Sequence, residues 1–211
     1  MSDSLSHLPV APPVAVVWDV GRVLYQWELR HLFARLIDDP EELDWFLDHV
    51  VTEEWHFEHD AGRPLAEMVP ERQAQFPRHA PLIAAYAERF LESIPGPVEG
   101  THALVETLAA RGVPQYGLTN FGAEFWGMFR PTAPIFDLMQ DVVVSGRERS
   151  VKPDPEIYAL LEGRSGHAGS DLFFIDDRAD NVAAARARGW HAHQFGNAGA
   201  LEAELSAHGL L

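Results

Sequence analysis

A chain of 211 residues can bury one substantial core, and its 46% hydrophobic and 23% charged residues are ordinary globular usage, which excludes a fibre or a disordered chain. The 32 Asp and Glu against 16 Lys and Arg leave a formal charge of -16, which repels a phosphate backbone and argues against nucleic-acid binding. The chain has no cysteine, which removes disulfides and thiolate chemistry and fits a reducing compartment. No signal-peptide pattern and no apolar run of about 18 residues is present, so a soluble cytoplasmic protein without membrane contact is expected, with a flexible arm over residues 1–13.

In chain order, the apolar run "VAVVW" marks a first strand over residues 14–20, which drives to Asp19 and breaks into a loop at Gly21. No convincing strand follows over residues 28–97. The helical patterns "ELRHLFARLI", "EELDWFLDHVV" and "PLIAAYAERFLESI" alternate there with turn material at Asp38-Asp39-Pro40, Asp60-Ala61-Gly62 and Phe76-Pro77. This predicts a small α-helical cap inserted into a core formed by residues 14–27 and 98–211. Thr101, Leu104, Val105 and Leu108 then recur at helical spacing until Arg111-Gly112. Strands are expected over residues 114–120, 141–145, 171–176 and 190–195, and a helix begins after Pro153 and Pro155 with Ile157, Tyr158, Leu160 and Leu161. Strands alternating with helices, apolar without alternation, predict an α/β fold: a Rossmann-like parallel five-stranded sheet with helices on both faces.

In such a sheet, ligands gather at the carboxyl ends of the strands. The first strand ends on Asp19, the second on Thr119 and Asn120, and the fourth on Asp176 and Asp177, with Asn181 beyond. Three carboxylates brought to one edge repel one another unless a cation or a shared proton lies between them, and Mg2+ with oxygen ligands is the simplest resolution. Lys152 in "VKPDPEIY" stands ahead of a helix start, where anions are favoured and where an ammonium can balance a carboxylate and a phosphoryl group together.

These four pieces, in this order, resemble the haloacid dehalogenase superfamily of hydrolases. The matching residues are Asp19 in "WDVG", Thr119 and Asn120 in "LTN", Lys152 in "VKPDPEIY" and Asp176 with Asp177 in "FFIDDRADN". "DVGRVL" and "HDAGRPL" look most like the small-capped bacterial phosphatases acting on sugar phosphates, and like the N-terminal phosphatase domain of soluble epoxide hydrolases. The resemblance implies that Asp19 attacks phosphorus and carries an aspartyl-phosphate. It implies Mg2+ on the Asp19 side chain, the Gly21 carbonyl and Asp177, with Asp176 as a direct ligand or just behind. Thr119, the Asn120 backbone and Lys152 would hold phosphoryl oxygens, Asn181 would orient the ligands from behind, and the cap would close over a small phosphorylated substrate. A monomer or homodimer is expected.

The sequence departs from that pattern at Gly21, where most phosphatases of the superfamily carry a second Asp as general acid and base. Loss of such help costs on the order of 100 to 10,000-fold. Three consequences are open: a leaving group that needs little protonation, an acid supplied by the cap, or a weakened catalyst. His56 and His59 in "EEWHFEHDAG" are the candidate proton donors and substrate contacts, against a bland reading as ordinary cap residues. Arg22 is placed to reach a substrate or to pair with a surface acid. Two rival functions remain at this level: a metal-free 2-haloacid dehalogenase, against which the Asp176-Asp177 pair speaks, and a phospho-ligand-binding pseudo-enzyme.

Overall fold

The computed structural model describes residues 12–211, so the expected arm lies almost wholly outside the described residues. Five parallel strands, β1 (Ala15–Trp18), β2 (Gln115–Thr119), β3 (Asp141–Val144), β4 (Leu172–Asp176) and β5 (His191–Gln194), form one sheet in the order β3-β2-β1-β4-β5. All five fall inside the intervals expected from sequence. Along β1 the side chains divide by the two-residue period of a strand. Val16 and Trp18 join one buried cluster, and Ala15 and Val17 the other.

Between β1 and β2 lie α1 (Leu29–Phe33), α2 (Pro40–His49), α3 (Glu53–Asp60), α4 (Leu65–Gln75), α5 (Ala80–Glu88) and α6 (Thr101–Ala110). α7 (Ala123–Phe129) and α8 (Ser145–Glu148) flank β3, α9 (Pro155–Ser165) precedes β4, α10 (Ala179–Ala187) follows it, and α11 (Ala198–Ala207) ends the chain. α6 and α11 bury Leu104, Leu108, Leu201 and Leu205 on one face of the sheet. Ile157, Tyr158 and Leu161 of α9 and Ala185 of α10 cover the other. The expectation of helices on both faces is met.

The five helices over residues 29–88 share the first of these clusters instead of forming a core of their own. Their starts follow local chemistry. Asp39 caps α2 by accepting from the Glu41 and Glu42 N–H groups, with Pro40 at the first helical position, and Thr52 caps α3 through the Trp55 N–H at 3.0 Å. The "ELRHLFARLI" pattern is helical only over Leu29–Phe33. α3 is a helix where the sequence shows mainly turn material at its end, because burial of Trp55, His56, His59 and Asp60 on one side overrides weak amphipathicity. The chain leaves and rejoins the sheet side by side, Gln26 N–H donating to the Gly96 carbonyl at 2.9 Å and Val98 N–H to Leu24 at 3.0 Å.

An aromatic stack couples these helices to the sheet's own elements. Phe90 lies flat on Phe125 of α7, centroids 3.7 Å apart, and Tyr86 of α5 meets the edge of Phe125 at 5.1 Å. Truncation of Phe125 to Ala removes a fully buried ring from that junction. A loss of about 3–5 kcal/mol is expected, read as a lower urea midpoint.

Candidate active site

The register pairs Trp18 of β1 with Ile175 of β4, so the next residues on each strand, Asp19 and Asp176, emerge side by side. Chain order reverses between these two strands, the place where an open α/β sheet leaves a crevice for ligands. Lys152, 2% exposed, bridges the two acids: its Nζ lies 2.8 Å from Asp19 Oδ1 and 2.7 Å from Asp176 Oδ2. Asp176 is fully buried and its oxygens are heavily engaged. Oδ1 accepts from the Arg178 N–H at 2.8 Å, and Asn181 Nδ2 lies 3.0 Å from both oxygens. Asn120 holds the lysine's own backbone in a reciprocal pair, donating to the Lys152 carbonyl at 2.9 Å and accepting its N–H at 2.8 Å.

Electrostatics follow from this burial. Loss of water pushes the Asp19 carboxyl up to about 7; the Lys152 ammonium pulls it back, and Asp176 and Asp177 push it further up. Burial works against the charge of Lys152, but Asp176 and Asp19 outweigh it and raise the ammonium above its usual range. Asp177, partly exposed, is also raised, by burial first and by Asp176 next. One oxygen from each of Asp19, Asp176 and Asp177 lies within 4.8 Å of the others, a hard donor set that suits an oxygen-seeking divalent cation. Such a cation reverses the upward push on Asp19 and Asp177.

A cleft of about 410 Å³ opens above these groups. Asp19, Gly21, Lys152 and Asp177 line one side; Glu53, Glu54, His56, Phe57 and Asp60 of α3 line the other, with Trp27 and Arg22 between. Arg22 borders the cleft, pairs with Glu53 at 2.6 Å and lies over the Trp27 ring at 5.0 Å. Asn120 and Asn181 border the cleft as well, whereas Thr119 is buried, not part of its lining, and turns its hydroxyl towards the Asn120 carbonyl at 3.5 Å.

The two histidines of α3 separate. His56 reaches the cleft, but burial, aided by His59, drives its pKa down to about 3, so it is a neutral ring with Nδ1 2.7 Å from the Tyr86 hydroxyl. His59 is fully buried outside the cleft lining, with Nδ1 2.8 Å from the Arg63 carbonyl. It presses on Gly122, where a Cβ would meet the imidazole at 2.0 Å, so only glycine fits.

The residue that sequence reasoning passed over is Asp60, read as turn material. It is the last residue of α3, 6% exposed, and its Oδ2 lies 3.4 Å from His56 Nε2. Its Oδ1 is buried with no hydrogen-bond partner. The available signal was helical spacing, since Asp60 stands four residues after His56 on a segment already singled out for its histidines.

With this geometry in place, the comparisons with known proteins give the family. The family model described as haloacid dehalogenase-like hydrolase matches residues 15–189, and the chain belongs to that family of enzymes. A sesquiterpene phosphatase of Aspergillus oryzae is 31% identical over 87 residues, 41% of this chain and 44% of the relative. Flavin mononucleotide hydrolase 1 of Arabidopsis thaliana is 30% identical over 109 residues, 52% of this chain and 44% of the relative. The chain thus matches less than half the length of either curated relative. Among solved structures, a haloacid dehalogenase family enzyme of Bacteroides thetaiotaomicron, crystallised with magnesium and inorganic phosphate, shares the fold at a TM-score of 0.65 and 21% identity, over 88% of this chain and 95% of that one. Among the described residues no helix is long and apolar enough to cross a membrane.

Burial pushes the Asp60 carboxyl up to about 8; the nearby Gly122 N–H opposes that push, Asp19 adds to it and Lys152 subtracts. An unfolded Asp titrates near 3.9, so between there and about 8 the folded chain holds a proton that the unfolded chain lacks. The stability Asp60 contributes is therefore complete below the unfolded value and lost as pH rises through the folded one. His56 works in the opposite direction, but only below about pH 6.5. Above that, in EDTA, the urea midpoint of the wild type is expected to fall with rising pH, and that of Asp60→Asn to stay flatter.

Proposed function

We propose that the cleft hydrolyses phosphomonoesters of a small metabolite, with Asp19 as nucleophile and Mg2+ as cofactor. The observation that carries this reading is the ammonium of Lys152 held between Asp19 and Asp176, beside a three-carboxylate donor set. That pattern suits a site for a phosphoryl group and a cation together, in a chain whose net charge of -16 would otherwise repel a phosphate.

The Asp19 side chain, the Gly21 carbonyl and Asp177 would hold Mg2+, while Asp176, already engaged by Lys152, Asn181 and Arg178, positions the lysine. Bound there, the ion supplies neutralisation of phosphoryl charge. Asp19 attacks phosphorus and carries the phosphoryl group as an acyl phosphate, splitting one displacement into two. Lys152 balances the phosphoryl oxygens as charge redistributes, and Asn120 keeps the lysine loop in place. The helices over residues 28–97 act as a cap over the core of residues 14–27 and 98–211, excluding water and selecting the leaving group.

A sugar phosphate is the substrate class we favour. On the side of α3 the cleft offers the Glu53 and Glu54 carboxylates as hydroxyl acceptors beside the aromatic faces of Trp27 and Phe57. The partial relatives named above act, by their names, on a sesquiterpene phosphate and on flavin mononucleotide, and both names fit phosphate-ester chemistry. A cytoplasmic setting fits the absence of cysteine.

A screen of sugar phosphates, nucleotides and haloacids with Mg2+ tests the proposal. Asp19→Asn is expected to lower turnover by on the order of 10,000-fold, Lys152→Met by about 100-fold or more, and EDTA to abolish it. Full activity in Asp19→Asn, or halide release from 2-chloropropionate that persists in EDTA, would replace this reading with another.

A further inference from the structure

Gly21 stands where the resemblance expects an acid to serve as proton donor, and another carboxyl borders the same cleft. Nothing lies within 4 Å of the position a Cβ at Gly21 would take. Asp60 lines the same cleft as Asp19 and Gly21, and it also lines a small recess of about 50 Å³ that Gly21 and His56 share. The backbone of Asp60 is tied to the elements after β2 and β3: its carbonyl accepts the Ser145 hydroxyl at 2.5 Å, and Ser145 in turn accepts the Phe121 N–H at 2.9 Å. One oxygen, Oδ2, meets His56 Nε2, and the other, Oδ1, is buried without a partner. An unpartnered buried oxygen costs stability, and its natural complement is a ligand atom.

We propose that Asp60, contributed by α3, is the general acid and base of this enzyme, replacing the group absent at position 21. The assignment rests on the phosphatase reading above. The surroundings suit it. Burial keeps the Asp60 carboxyl protonated near neutrality, up to about 8, which is the state a donor needs. The titratable and charged groups acting on it are His56 on its own helix, Asp19 after β1 and Lys152 before α9. His56, with its pKa near 3, carries no proton to give at neutral pH and serves Asp60 as a positioning residue between it and Tyr86.

The chemistry balances. An Asp19 oxygen bonds to phosphorus as the ester P–O bond breaks; the electron pair of that bond stays on the leaving oxygen, which takes the proton of Asp60. A water oxygen then bonds to phosphorus and gives its proton to the Asp60 carboxylate. The P–O bond to Asp19 breaks with its electron pair returning to Asp19, inorganic phosphate leaves, and Asp60 is again protonated.

The test compares 4-nitrophenyl phosphate, whose phenolate leaves without a proton, with benzyl phosphate, whose alkoxide needs one, both with Mg2+. In Asp60→Asn, kcat/KM for benzyl phosphate is expected to fall by on the order of 100 to 10,000-fold, and that for 4-nitrophenyl phosphate to stay within about tenfold of wild type. The variant should also release a burst of nitrophenolate close to one per enzyme, since phosphorylation of Asp19 proceeds while its hydrolysis lacks a base. Adding Gly21→Asp to that variant should recover benzyl phosphate turnover by about tenfold or more, which a purely structural role for Asp60 does not predict. Equal losses on both esters without a burst, or no loss on either, would overturn the assignment, as would a wild-type rate that falls steeply from the aryl to the alkyl ester. If the wild type hydrolyses neither ester, the phosphatase reading fails and Asp60 falls with it; discrimination lost only in the variant comparison removes Asp60 alone.

Discussion

The buried ammonium of Lys152 is the constraint on which the rest of the structure depends. A charge this far from water is tolerated only when opposite charges surround it at hydrogen-bond distance, and Asp19 and Asp176 do so at 2.8 and 2.7 Å. Satisfying it requires the ends of β1 and β4 to lie adjacent and the loop before α9 to cross above them. Asn120, just after β2, then fastens that loop through its backbone. Three strand ends and one loop are therefore locked by a single charge, the same charge that the proposed function assigns to the phosphoryl group.

A second dependence runs from the apolar core to the cleft wall. The helices over residues 29–88 have no separate core, and the flat contact of Phe90 on Phe125 continues the sheet's own cluster into them. That continuity places α3 over the strand ends at a defined height. His59 pressed against Gly122 and Ser145 bonded to the Asp60 carbonyl fix its C-terminal end against the loops after β2 and β3. α3, which borders the cleft, thus rests on Phe125, whose ring meets that of His59 at 4.6 Å.

The same burial that stabilises the fold tunes the chemistry. Water is excluded from Asp19, Asp60 and Lys152 alike, yet the outcomes differ because their partners differ. Lys152 has two carboxylates and keeps its proton. Asp19 has the lysine on one side and other acids nearby, which leaves it suited to a cation. Asp60 lies beside the neutral His56 with Lys152 acting on it only weakly, so burial keeps its proton in place. Burial raises both carboxyl groups that line the cleft, Asp19 to about 7 and Asp60 to about 8, and a cation at the three-carboxylate set would lower Asp19 and leave it the charged member of the pair.

The parallel sheet, the five strand intervals and the residues at their ends were legible in the sequence because apolar runs, glycine breaks and strand-terminal acids are local signals. Asp19, Asn120, Lys152, Asp176 and Asp177 could be placed at one edge from chain order and fold class alone. The insertion was legible as helical but not in its elements, since α3 carries His, Glu and Asp on faces that become buried only against other helices. Whether Asp60 is a turn residue or a buried carboxyl, whether His56 is a charged donor or a neutral ring, and which side of Gly21 stands open depend on desolvation by residues remote in sequence. Those contacts form only when the chain closes on itself, so sequence determined the sheet and the Asp19 edge of the site, and tertiary structure alone decided which residues line the opposite wall of the cleft.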